Sequence, residues 1–178
     1  MRSKPIYVLD ATPIIHLTRV GILKLVQKIC DPYITKEVYR ETTQDTNYPD
    51  TFIIKDQGES GNIKLIEDLD IKQLKALTRH PGIHQGEAET LAAAKKHGGV
   101  AVLDDAEARA LARVYGIDNA PGTLFLLFRF LNLNHLTADE TAKTLDDLIT
   151  SGLYLDPKTY HKAKQKINEY REKQNKEQ

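Results

Sequence analysis

The 178-residue chain predicts an α/β fold, a mainly parallel sheet with helices on both faces. Three observations carry that expectation. Short β-branched apolar runs alternate with helix-forming stretches through most of the chain. Two of the runs, "IYVLD" at residues 6–10 and "VAVLDD" at 100–105, stop abruptly on aspartate. Between them lies "HQGEAETLAAAKKHGG", rich in Ala and Glu and closed by basic residues and paired glycines, the clearest helix in the sequence.

The elements follow in order. After "IYVLD", Thr12 reads as an N-cap with Pro13 at the first helical position, and "IIHLTRVGILKLVQKI" as two short helices divided at Gly21. "DPYIT" is a second strand and "KEVYRETT" a brief helix. Residues 44–61 combine turn formers with charges and read as an insertion or loop, with at most a short "FII" element. "NIKLIED" is a strand, and "DIKQLKALTRH" a helix stopped by Pro81 and Gly82. "VAVLD" is the next strand and "DAEARALARVYG" a helix ended by Gly116. "IDNAP" is a short strand or turn. "GTLFLLFRFLNLN" is apolar nearly all round, as a buried helix is. Thr137 and Glu140 form a capping box at the start of "ADETAKTLDDLITSG", and a charged helix closes the chain.

Lys plus Arg and Asp plus Glu both number 25, so no net positive charge draws the chain to nucleic acid; such contact needs a local patch. A single cysteine, Cys30, excludes an intrachain disulfide, and no apolar run reads as a signal peptide or a membrane span. A cytoplasmic protein with no membrane association is the expectation.

In open parallel α/β sheets, sites form outside the carboxyl ends of the strands. Asp10, Asp104 and Asp105 stand at such ends. Glu41 lies in the helix after "YIT", and Glu87 opens the Ala-rich helix. Each has an ordinary reading taken singly: a strand-end Asp caps the next helix, and Glu87 complements a helix dipole. Gathered together they repel, and a divalent cation relieves that repulsion. Mg²⁺, with hard oxygen ligands and retained waters, then serves hydrolysis of a phosphodiester. Glu37 and Glu89 are neighbours able to share these roles.

"VLDATPIIHL", "ITKEVYRE", "GEAETLAAA", "VLDDAEARALARVYGI" and "PGTLFLLF", in that order, resemble the PIN domain superfamily, nearest its prokaryotic PIN-like branch with a "GEAE" helix, an "LDD…AR" strand–helix and a "GT" turn. The resemblance implies a three-layer α/β/α sandwich around a mainly parallel sheet, here with extra C-terminal helices. The resemblance covers about residues 5–133; the whole domain would span residues 1–155 with an insertion near 44–61, followed by the charged helix at 156–178, packed on it or extending from it. It implies a Mg²⁺- or Mn²⁺-dependent ribonuclease, as in the toxins of toxin–antitoxin pairs, with an RNA substrate, an antitoxin protein as partner and a homodimeric state. Residue by residue it assigns Asp10, Glu41, Glu87, Asp104 and Asp105 to catalysis; Asp10, Glu87 and Asp105 hold the metal, and Thr12 orients Asp10. The chain departs from many PIN nucleases in having "LDD" for a Thr-x-Asp or Thr-x-Asn element, and Glu on the central helix where Asp is often seen.

Two other readings differ in class. "DATP" begins like the nucleophile loop of haloacid-dehalogenase-type phosphatases, but Thr12 stands where a second Asp is needed. A PIN-like fold can also serve as a partner module with little activity. Elsewhere, His80 and His84 have zinc-like spacing, but Pro81 and Gly82 break any helix between them, which leaves a loop with two exposed histidines. His16 reads as a core-edge histidine and Cys30 as a small buried hydrophobe. In the last helix Lys158, Lys162, Lys164, Lys166, Arg171 and Lys173 interleave with Tyr160 and Tyr170. Lys162 and Lys166 are candidates for RNA contact, and a solvated face paired with acids is the commoner outcome.

Overall fold

The structure, a computed structural model, describes residues 4–176. Its four strands are β1 (Ile6–Leu9), β2 (Asp31–Thr35), β3 (Lys64–Ile66) and β4 (Val100–Val102), all parallel, in the order β3-β2-β1-β4. The chain therefore steps from β1 to β2 to β3 in one direction, then crosses back to lay β4 on the other side of β1. That reversal between β1 and β4 is the switch point where such sheets form clefts. The register there pairs Leu9 with Val102, and the Asp10 N–H donates to the Val102 carbonyl at 2.9 Å. The two aspartate-bearing strand ends thus lie side by side.

Contacts divide the chain into two compact units, Met1–Thr123 and Leu124–Gln178. The first unit is a three-layer α/β/α arrangement around this sheet. Its helices are α1 (Ala11–Arg19), a 3₁₀ turn (Leu23–Leu25), α2 (Val26–Ile29), α3 (Lys36–Thr43), α4 (Pro49–Glu59), α5 (Ile71–Leu77), α6 (Gln85–His97) and α7 (Ala106–Val114). The alanines of α6 let it lie close against β1, β2 and β4, and Ala88, Leu91, Ala93 and Ala94 are fully buried with Val8, Ala101 and Leu103. Each large apolar side chain so buried contributes about 1.5–3 kcal/mol.

The second unit holds most of α8 (Thr123–Asn132), then α9 (Ala138–Thr150) and α10 (Pro157–Lys176). Leu126, Leu127, Phe130 and Leu131 of α8 are buried, as its all-round apolarity predicts. The capping box at Thr137 and Glu140 is present. The basic α10 meets acids inside its own unit: Lys164 pairs with Asp146 at 2.7 Å, Tyr160 donates to the same carboxylate at 2.8 Å, and Arg171 pairs with Asp139. Lys166 lies over the Phe128 ring, 4.7 Å from its centroid. The last two residues of the predicted charged helix fall outside the described ones. No helix among the described residues is long and apolar enough to cross a membrane.

Four local expectations are corrected. Residues 44–61 are not a loop: α4 runs through them with Pro49 in its first turn, packs on α1 and α3, and is tied by an Arg19–Asp50 ion pair of 2.8 Å. Its polar and apolar residues are spread round the helix, so no stripe marks it, while Gly58 and the flanking Asn and Asp imitate turns. Helix α1 begins two residues earlier than Thr12 and Pro13 imply, with Asp10 at the N-cap; Pro13 sits inside the first turn, where a missing N–H breaks no helix bond. "IDNAP" forms no strand, but the carbonyls of Asn119 and Pro121 accept from the N–H groups of Ala101 and Leu103, completing the free edge of β4. His80 is half-buried, its ring nitrogen 2.8 Å from the Tyr115 hydroxyl, and only His84 is exposed.

Thr35, fully buried, caps α3 by accepting from the Val38 N–H at 3.3 Å. Thr35→Ala is expected to cost about 1 kcal/mol and to lower the melting temperature by about 2–4 °C, measured by differential scanning calorimetry.

Candidate active site

The site begins with Asp10. Its residue has the extended backbone of an N-cap, yet its side chain accepts no capping hydrogen bond from α1. The ordinary explanation of a strand-end aspartate accounts for its position and for the nearby Ala11 and Thr12 N–H groups, but the geometry of a full cap is not reached. The residue is 5% exposed. Burial pushes its pKa from 3.8 up to about 7, and the carboxylates of Glu87 and Glu41 push the same way; the nearby N–H groups of Ala11 and Thr12 oppose them. Thr12 thus acts on Asp10 through its backbone, while the residue itself is exposed.

Glu87 approaches from the first turn of α6 and is 8% exposed. Its Oε2 accepts from the His84 N–H at 3.0 Å, half of a capping box. Burial raises its pKa despite that hydrogen bond, and the charges of Asp105 and Glu107 add to the rise. This capping bond engages Oε2 only, so it does not by itself occupy both carboxylate oxygens.

Glu41 comes from α3 and is half-buried. Partial burial and the neighbouring Glu37 carboxylate raise its pKa, while Arg40 works against them. Its carboxylate lies against the backbone of α6 at Gly86, where an added Cβ would stand 2.9 Å from Oε2. The glycine of the "GEAE" stretch thus leaves room for the Glu41 carboxylate beside α6.

The adjacent aspartates have separate tasks. Asp105 caps α7 by accepting from the Ala108 N–H at 2.7 Å, and its charge reaches Glu87. Asp104 accepts from the N–H and the hydroxyl of Thr123, both at 2.6 Å. It also faces the buried His16: burial lowers the His16 pKa, and Asp104 partly restores it. A side chain at Gly122 would collide with Asp104 Oδ1, so the "GT" pair is shaped to receive this carboxylate.

Asp10, Glu41, Glu87 and Asp105 therefore form one neighbourhood linked by mutual repulsion, and Asp104 stands at its edge bound to Thr123. Two members escape sequence reasoning. Glu107, two residues after Asp105, acts on Glu87 and packs against Gly82. Thr123 holds Asp104 across 19 residues of sequence. The only sequence signal for Thr123 is its place in the quoted "PGT" stretch, and nothing marks Glu107. Lys162 and Lys166 lie on exposed positions of α10, in the other unit. Among the described residues, no group of three or more His, Cys, Asp or Glu is set closely enough to hold a metal ion by itself. The donors are nonetheless hard oxygens crowded against their own charge, which is the chemistry that favours Mg²⁺ or Mn²⁺.

The model of a family described as PIN domain matches residues 6–169 of this chain. No curated protein and no solved structure matches it.

Because the folded-state pKa of Asp10 lies above its unfolded value, the folded chain holds an extra proton between the two. The stability this gives is full below about pH 4 and lost as pH rises through about 7. Asp10→Asn removes the penalty of the buried charge. Without divalent cations it is expected to raise the melting temperature at pH 8 by several degrees, a gain that shrinks steadily toward pH 5. A gain that is absent or independent of pH contradicts the assignment.

Proposed function

Since the chain belongs to the PIN domain family, whose members are generally nucleases, we propose that it is a divalent-metal-dependent ribonuclease cutting RNA phosphodiester bonds. The observation that carries the proposal is the buried Asp10 carboxylate, uncapped at the β1–β4 switch point and facing Glu87 and Glu41.

In this reading Asp10 and Glu87 hold Mg²⁺ or Mn²⁺, with Asp105 joining directly or through water. A looser group than a three-ligand cage suits an ion that keeps several of its waters. A cation held there would supply a more acidic water and charge neutralisation at the phosphodiester. Glu41 takes the proton of the attacking water, a role that its raised pKa favours. The water oxygen bonds to phosphorus, the bond to the leaving ribose oxygen breaks, and that oxygen is protonated from solvent. Asp104, fixed by Thr123, keeps the β4 end and its Asp105 neighbour in position. A place in a toxin–antitoxin pair is part of the proposal; finding a small neighbouring gene that encodes a DNA-binding or helical protein would support it.

One observation favours a second reading, a PIN-like partner module of low activity. Glu87, Asp104 and Asp105 each already accept a structural hydrogen bond, so none is devoted to a ligand alone. Isothermal titration with Mn²⁺ separates the readings: no binding at millimolar cation favours the inert module.

The direct test is cleavage of single-stranded RNA in Mn²⁺. Asp10→Asn is expected to abolish it, with at least a hundredfold loss, and Glu87→Gln to reduce it strongly. Undiminished cleavage by pure Asp10→Asn protein sinks the proposal.

A further inference from the structure

Helix α3 carries three rows of side chains, because successive residues turn by about 100°. Val38 and Thr42 face inward and are buried. Glu37 and Glu41 form the second row, toward the acidic neighbourhood. Lys36, Tyr39, Arg40 and Thr43 form the third, immediately beside it. This third row lines an open surface cleft of about 430 Å³, together with Glu37, Gln44 and, from α6, Glu89. The cleft is within the size range of small-molecule sites.

Its polar wall is arranged in advance. Arg40 donates from Nε to Glu37 Oε2 at 2.9 Å and from Nη1 to Gln44 Oε1 at 2.6 Å. The guanidinium therefore fixes the orientation of the Gln44 carboxamide. Glu89 accepts from the Glu37 N–H at 3.3 Å and from Gln85 Nε2 at 2.9 Å, so it too is held. The Tyr39 ring edge lies against Gly58 of α4, where a Cβ would come within 3.1 Å of Cε2. Two cations, Lys36 and Arg40, balance two carboxylates, Glu37 and Glu89. A phosphate subsite needs surplus positive charge. A neutral cleft with an aromatic wall and fixed hydrogen-bonding groups suits a nucleobase, which is read by stacking and by its polar edge.

We infer that this cleft is a subsite for one unpaired base of the substrate strand, next to the phosphodiester that the acidic cluster addresses. Tyr39 is its stacking wall, and Gln44 and Arg40 read the edge of the base. The inference rests on the ribonuclease reading, because Glu41 and this wall share one helix. It gives the enzyme a base preference at a single position beside the cut.

The test pairs two readouts on the full chain. Anisotropy of labelled oligo(A), oligo(C) and oligo(U) in EDTA measures binding, and cleavage of the same strands in Mn²⁺ measures activity. Tyr39→Ala is expected to weaken binding about tenfold, while Tyr39→Phe stays within about twofold of the parent because the ring remains. Gln44→Ala, at an exposed position, is expected to flatten the ranking among the three strands with little effect on melting temperature. It decides the matter if Tyr39→Ala does not fold. Should the parent cleave while Tyr39→Ala and Gln44→Ala keep its affinity and ranking, the subsite is wrong and the ribonuclease reading survives. A parent that neither binds nor cleaves any strand overturns both.

Discussion

Burial of carboxylates where water hardly reaches, reinforced by their repulsion, is the constraint on which the rest of the first unit depends. Ionising Asp10 there, with its pKa near 7 instead of 3.8, costs on the order of 4 kcal/mol at high pH. That is a large share of a domain's typical stability of about 5–15 kcal/mol. The surrounding structure has to hold the group in place. The β1–β4 register fixes Asp10 from below, since its N–H is bonded to Val102. The Ala-rich α6, close against the sheet, supplies the burial and carries Glu87. Gly86 lets α3 press Glu41 against α6. The cost of burying this charge is the observation on which the proposed chemistry rests.

The acids of the proposed site also carry structural duties. Glu87 completes a capping box, Asp105 caps α7, and Asp104 grips Thr123. These bonds lock the rotamers of three acids by backbone groups of rigid elements, which is what a preorganised site requires. The ordinary reading holds for Asp105, which caps the next helix, and for Glu87, which stands in the first turn of α6; Asp104 binds Thr123 instead of capping α7. Asp10 differs because its position is that of a cap and its side chain does not act as one.

Much of this was legible in the residues. "IYVLD" and "VAVLDD" show two strands ending on acids, and the strand-end rule for parallel sheets then groups Asp10 with Asp104 and Asp105. The alanines and glycines of "GEAETLAAAKKHGG" identify α6. The illegible parts have physical causes. Helix α4 lacks an apolar stripe, and its stability comes from packing on α1 and α3, which no local pattern encodes. The grip of Thr123 on Asp104 joins residues far apart in sequence, so it appears only once the sheet is built. Charge pairing across α9 and α10, as between Lys164 and Asp146, likewise depends on the fold of the second unit; its basic residues are partly neutralised there.

The claim that these acids are gathered for a shared cation is tested most directly by anomalous diffraction from crystals soaked in Mn²⁺. The account predicts one strong peak bridged by the Asp10 and Glu87 carboxylates, with Asp105 reached directly or through water, and its loss in Asp10→Asn crystals. An ordered crystal at saturating Mn²⁺ with no peak beside Asp10, or with the ion bound elsewhere, would contradict it.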